Sequence, residues 1–229
     1  MGRPLTVAKE VGMSMRRTPQ QERSHETQRN VVEGAAVVFD RVGYGSASLS
    51  MIAEQSGISQ GAMYFHFKSK EQIALAVVHE QHNRSIPLME SIAQQSTSVF
   101  EQLVRVSRGV ADQLLSDAVV RAGIRLAIEE GTLGEPAGGF YTVWVESTAS
   151  LLETALTDGV LVSRLNSADL ARALIGNFTG VQLMSQAISG RKDLLASLAN
   201  MWLVLVDTIV PADERDAAVA LVHSVFDAA

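Results

Sequence analysis

His79 and His82, three residues apart with Glu80 between them, are the first place where this sequence could do chemistry. Imidazoles at that spacing share one helix face and can begin a metal site. The string HEQHN is not the HExxH of zinc hydrolases, however, and no third ligand accompanies it. A helical enzyme built on His79 and His82 is therefore the most remote reading. Asp112 with Asp117, and Glu129 with Glu130, look like solvated faces rather than catalytic carboxylates. A nucleophile elbow, a phosphate-binding loop and a dinucleotide fingerprint are all absent from the sequence. So is cysteine, which rules out disulfides, iron–sulfur clusters, zinc ribbons and thiol nucleophiles. No residue pattern calls for a metal or a cofactor, and the expectation is that neither is used.

A second constellation suits nucleic acid. Ser59, Gln60, Gly61 and Ala62 begin a short helical stretch that continues through Tyr64 and His66, with Lys70 just beyond. If Met63 and Phe67 face inward, the remaining residues face outward. Gly61 and Ala62 are small enough for close approach to a duplex, and Gln60 can hydrogen-bond base edges. Tyr64, His66 and Lys70 can reach phosphate oxygens, as can the hydroxyls of Ser48 and Ser50 one short helix earlier. The bland alternative is an ordinary helical hairpin with a cap and a turn.

The elements that must position these residues are helical throughout. Val32, Ala35, Ala36 and Phe39 stand at i, i+3, i+4 and i+7, which predicts a helix over Thr27 to Val42, ended by Gly43-Tyr44-Gly45. Ser48 caps a second helix carrying Leu49, Ile52 and Ala53, broken at Ser56-Gly57. Ser59 caps the third. Ser69 with Gln72, and Ser98 with Glu101, are capping boxes for longer helices. Pro87 should kink or end the fourth helix. Helices follow over Ala118–Glu130, Phe140–Thr157, Ser167–Ser189 and Arg191–Ile209, with a last one from Pro211; GTLGEPAGG (Gly131 to Gly139) is a connector or a lid. This is an all-α chain, and its 47% hydrophobic content allows a sizeable core. Two short helices joined by a glycine-containing turn behind a longer one make a helix-turn-helix. That divides the chain into a flexible basic arm (1–22), a DNA-binding domain (23–70) and a larger helical domain (71–229).

Net charge is −6, which taken whole argues against a nucleic-acid partner. Its distribution argues otherwise. Residues 1–70 hold nine basic and six acidic side chains, giving +3, whereas the remainder holds ten and nineteen, giving −9. The opening residues lack the continuous apolar core of a secretory signal, and the myristoylation-like Met1-Gly2 with Thr6 is too permissive to weigh. Met13 and Met15 are alternative starts. Met201 to Val206, the longest strongly apolar run, is far shorter than the ~20 residues of a membrane span. The expected location is the cytoplasm.

The stretch SLSMIAEQSGISQGAMYFHFKSKEQI (Ser48 to Ile73), above all MYFHFKSKE, closely resembles the DNA-binding signature of the TetR family of bacterial repressors. The strings VRAGIRLAIEEGT (Val120 to Thr132), YTVW (Tyr141 to Trp144) and FTGVQLMSQAISGRKDL (Phe178 to Leu194) resemble its γ-butyrolactone receptor subfamily. The resemblance implies a homodimer that binds a palindromic operator in double-stranded DNA and is released by a small lactone, butenolide or furan. It places Ser59, Gln60, Gly61 and Ala62 on bases and Tyr64, His66 and Lys70 on phosphates. Arg16, Arg17 and Arg23 would form an arm reaching a neighbouring groove, or a solubilising tail. Gln60 departs from the pattern, since a basic residue is frequent there.

For the effector, the resemblance implies Trp144 as a pocket wall and Thr179 as the hydrogen-bond partner of the ligand's polar head. Gln182 lies one turn further on, and Tyr141 is a further candidate. Core packing is the competing role for Trp144, and a bond back to its own helix for Thr179. The scarcity of charge around Trp144 and Phe178 suits a neutral ligand. Pairing of twin chains would use Asp169–Ser189 and Arg191–Ile209, where Leu194, Leu195, Leu198, Met201, Trp202 and Leu205 form a stripe that is either core or interface. The second functional reading is a regulator of an efflux or catabolic gene with another hydrophobic effector.

Overall fold

Serine hydroxyls start the early helices. In the computed structural model, which describes residues 19–129 and 135–227, Ser48, Ser59, Ser69 and Ser98 each accept the backbone N–H three residues ahead. This satisfies donors that have no partner in the first helical turn. They open α2 (Leu49–Ser56), α3 (Gln60–His66), α4 (Lys70–Gln95) and α5 (Val99–Ser116), all behind α1 (Pro19–Ser46). Asp117 then caps α6 (Ala118–Ile128) with its carboxylate. Four more helices complete the described residues: α7 (Glu135–Thr157), α8 (Ser167–Ser189), α9 (Leu194–Ile209) and α10 (Arg215–Phe226). The all-α expectation holds.

Several boundaries differ from the sequence reading. α1 begins at Pro19, so Arg23 projects from a helix rather than from a tail, while Arg16, Arg17, Met13 and Met15 lie outside the described residues. Gly43 breaks α1 as expected, with φ 77°, but Tyr44–Ser46 adds a further helical turn. Pro87 does not end α4, which continues eight residues to Gln95 because tertiary contacts outweigh the lost hydrogen bond. Glu135–Gly139 belong to α7 rather than to a connector, and residues 130–134 lie outside the described residues. Asn166, not Ser167, caps α8, accepting Asp169 N–H at 2.8 Å. α9 and α10 each start a few residues later than expected, after short turns.

Two apolar cores divide the molecule, and α6 belongs to both. In the first, Val31, Ala35, Val38 and Phe39 of α1 pack on Ile52, Met63 and Phe67, and on Ile73, Ala74 and Val77 of α4. Val119, Ala122 and Leu126 of α6 close it. The opposite face of α6, with Val120, Ile124 and Ala127, enters the second core among Leu114, Leu152, Phe178, Leu198 and Trp202. Helical period explains the split, since residues three or four apart share one face. The head is thus built on the body: residues beyond 70 supply part of its core.

Polar ties reinforce this seam. Arg84 of α4 pairs with Glu33 on α1, Glu80 on its own helix and Asp117 at the start of α6. Arg121 Nε meets Asp40 at 2.6 Å, and Arg125 donates to the Asp40 carbonyl at 2.7 Å. At Gly123, α6 comes so close to α4 that a Cβ would lie 2.5 Å from Gln81 Cβ.

Candidate nucleic-acid interface and effector cavity

α2 and α3 are joined by Gly57, whose φ of 66° an L side chain adopts only under strain, and whose N–H closes α2 on Ala53 and Glu54. This turn leaves Met63 fully buried and Phe67 nearly so. Gln60, Gly61 and Ala62 are exposed in a row, Tyr64 is half-exposed and His66 partly so. Ser48 and Ser50 also face solvent, their hydroxyls 2.8 Å apart, although Ser48 and Ser59 are already engaged as caps. Eight of the nine expected DNA-facing residues, those on α2 and α3 or at their N-caps, are therefore exposed or partly exposed, with the Ser48 and Ser59 hydroxyls serving as caps.

Lys70 is the exception. Its ammonium donates to the Tyr44 and Ala47 carbonyls, each at 2.8 Å, and sits 4.4 Å over the Tyr44 ring. It satisfies carbonyls left open where α1 ends, so its place is structural rather than at the outer surface. Phe65 is the residue the sequence reading passed over. Its side chain is 77% exposed at the centre of α3, edge-on to His66. The signal was present: with Met63 and Phe67 inward at i and i+4, Phe65 has to point out.

In the body, a cavity of about 180 Å³ opens between α4, α5, α7, α8 and α9. Trp144 lines it, opposite Met89 of α4 and Trp202 of α9. Gln102, Ser107, Ser147 and Thr148 add polar groups to a mainly apolar wall. Trp202 is fixed by its Nε1–H, which donates to Ser107 at 2.7 Å, and by edge-on contact with Phe100. Trp144 in turn lies between Tyr141 and Phe178, at ring distances of 6.2 and 5.9 Å.

The other predicted effector residues are placed differently. Thr179 donates to the Tyr141 hydroxyl at 3.4 Å, so the two are paired beside Trp144 and neither forms the cavity wall. Burial pushes the Tyr141 phenol up from its ordinary pKa, against the opposing effect of the Thr179 bond. Gln182 is buried, but one turn further along α8, in a cleft with Arg121 and Arg191. Gln182 stands one helical turn beyond Phe178, and at that level of α8 the neighbouring lining comes from α6 rather than α7. Gln102, Ser147 and Thr148 went unnoticed because no local pattern links positions on separate helices.

His79 and His82 are in edge-on contact with ring centres 6.3 Å apart. Burial, and then the neighbouring His79, push His82 below its ordinary pKa. Among the described residues no three His, Asp or Glu side chains are grouped so as to hold a metal ion. Nor is any described helix long and apolar enough to cross a membrane.

The pattern of bacterial regulatory proteins of the tetR family matches residues 31–77, and that of the tetracyclin repressor-like C-terminal domain matches residues 97–211. The chain belongs to the TetR family. Both patterns fall on the head and body as the cores divide them. The TetR-family chain is 36% identical over 189 residues to the A-factor receptor protein of Streptomyces griseus, covering 82% of this chain and 66% of that protein, just under two thirds of its length. A solved γ-butyrolactone receptor (ArpA-like protein) superposes with a TM-score of 0.76 at 28% identity, over 90% of this chain and all of that one. CprB from Streptomyces coelicolor, solved with its biological operator sequence, gives 0.77 at 29% identity over the same shares.

Proposed function

We propose that this TetR-family protein is a ligand-responsive transcriptional repressor of the γ-butyrolactone receptor type, working in the cytoplasm as a homodimer and without catalytic turnover. One observation carries the mechanism: α4, which holds the reading head, is also a wall of the cavity that contains Trp144. The N-terminal part of α4 is locked into the head core through Ile73, Ala74 and Val77, and Met89 faces the cavity. Ligand pockets of drug-sized molecules are commonly ~300–1,000 Å³. A cavity of about 180 Å³ therefore takes an acylated lactone only if its walls move. Displacing Met89 displaces α4 and with it α3.

In a dimer the two α3 helices must sit ~34–36 Å apart, one turn of DNA, to read both halves of a palindrome. A ligand that favours the displaced arrangement by ~1–3 kcal/mol lowers operator affinity five- to about a hundredfold. Gln60 and Phe65 would then read base edges, with Tyr64 and His66 on phosphates. The twin-pairing face is not the stripe of Leu194, Leu198 and Trp202, which is buried within the protomer. Met184 and Ile188 of α8 and Val204 of α9, at 62, 74 and 71% exposure, are what α8 and α9 leave for a partner.

A gel-shift assay on the DNA upstream of the protein's own gene tests this reading. Specific binding that dissolves on adding γ-butyrolactones is expected, and Trp144→Ala should keep the binding while losing the release. Turnover of lactone without DNA binding would overturn it in favour of an enzyme. Release by an unrelated apolar compound alone would point to the efflux or catabolic regulator instead.

A further inference from the structure

Further along α8 from the Trp144 cavity, toward its C-terminal end, lies a cleft of about 410 Å³, bounded by α1, α6, α8 and the turn between α8 and α9. Three arginines line it, Arg121, Arg125 and Arg191, against two carboxylates, Asp40 and Glu129, leaving one positive charge in excess. Two of the arginines are already paired: Arg121 with Asp40 at 2.6 Å, and Arg125 with Glu129 at 2.7 Å. Arg191 is not. Its Nε is buried with no hydrogen-bond partner, and its backbone holds φ 69°, the only such value outside glycine among the described residues.

Each of these features costs free energy. A buried guanidinium N–H without an acceptor forfeits hydration, and a left-handed conformation is strained at a residue with a Cβ. Burial, and after it the neighbouring Arg121, push Arg191 below its ordinary pKa, while Asp40 acts the other way. A protonated arginine held in this state awaits an anion.

We infer that this cleft is a second small-molecule site, distinct from the Trp144 cavity, that takes a monoanionic carboxylic acid with a short apolar body. The guanidinium of Arg191 matches a carboxylate in two parallel bonds, and the amide of Gln186 stands at the same cleft as a further donor. Ile124, Ile128 and Leu183 offer an apolar floor to the rest of the molecule. A phosphate dianion is disfavoured, because Asp40 and Glu129 would repel its second charge. The site spans the head–body seam: Asp40 lies three residues before the Gly43 break in α1, and Glu129 accepts the Tyr44 N–H at 2.9 Å. An occupant would thus contact the same seam that positions α3, without entering the body core.

Titration of the full-length protein with benzoate, its neutral methyl ester and inorganic phosphate, followed by NMR or calorimetry, tests this. Benzoate should bind saturably and in preference to both other probes. Arg191→Gly removes the guanidinium while relieving the strained φ, so the variant should melt no lower than wild type and bind benzoate about tenfold or more weakly. Arg191→Lys should retain part of the binding through its charge. Trp144→Ala should leave benzoate binding unchanged, whatever it does to lactone release, which separates this inference from the repressor mechanism. The inference is overturned if benzoate does not saturate, if the ester or phosphate binds as well, or if Trp144→Ala abolishes binding. It is equally overturned if Arg191→Gly turns dimers into monomers in sedimentation, because the missing acceptor would then be the twin chain.

Discussion

Gly123→Ala is the most direct probe of the seam between α4 and α6. In an ordinary helix interior, replacing glycine by alanine stabilises by ~1 kcal/mol, because the unfolded glycine has more freedom to lose. Here the new methyl would lie 2.5 Å from Gln81 Cβ and 2.8 Å from its Cγ. Carbon atoms prefer ~3.5–4.0 Å, so the shortfall is about 1 Å. A Cβ cannot rotate out of the way, and the two helices have to separate. Overpacking of this kind costs ~1–3 kcal/mol, which outweighs the propensity gain at all but its lower limit. The net loss should be about 1–2 kcal/mol, a fall in Tm of ~2–8 °C for a chain of this size. Gly109→Ala is the internal comparison, since its methyl would meet only side-chain atoms of Ile92 (Cδ1, 3.0 Å) and Leu88 (Cδ2, 3.3 Å), and those flexible ends can move aside. Thermal melts followed by circular dichroism decide the matter. If Gly123→Ala melts at or above wild type, the close approach of α4 and α6 is not what holds the head to the body.

Lys70→Met should destabilise by about 1–3 kcal/mol in urea, because two carbonyls at the end of α1 lose a charged donor. It should leave the slope of log affinity against log salt unchanged, whereas loss of a true phosphate contact would reduce that slope by ~0.9. Burial alone would raise the Asp117 carboxyl, but Arg84 and the Val119 and Val120 N–H groups hold it below the usual carboxylate range. Its stabilising effect is therefore complete above the ordinary pKa of ~3.9 and disappears as pH falls through the lower native value. Asp117→Asn should accordingly flatten the loss of stability below about pH 4 in acid titrations. Met184→Glu combined with Val204→Glu should give a folded monomer in analytical ultracentrifugation, with operator binding lost; a persistent dimer would move the pairing face elsewhere.

Amino-acid order alone determined what depends on neighbours three or four residues away. Ser48, Ser59, Ser69 and Ser98 cap helices because an N-cap bond closes within one turn, and the left-handed φ at Gly57 is likewise local. The outward face of α3 followed from helical period once Met63 and Phe67 were taken as inward; the same logic, carried one residue further, would have put the overlooked Phe65 outside. Where a helix is apolar around most of its girth, period no longer tells which face meets which neighbour. Leu198 and Trp202 thus turned inward while Val204 stayed exposed. Thr179 and Gln182, three residues apart on α8, went to Tyr141 and to the arginine cleft respectively. Lys70 bridged to carbonyls more than twenty residues earlier, which no spacing rule announces. Only the tertiary structure made these choices, because they are set by packing between helices distant in sequence, where each side chain's energy depends on which other helix covers it.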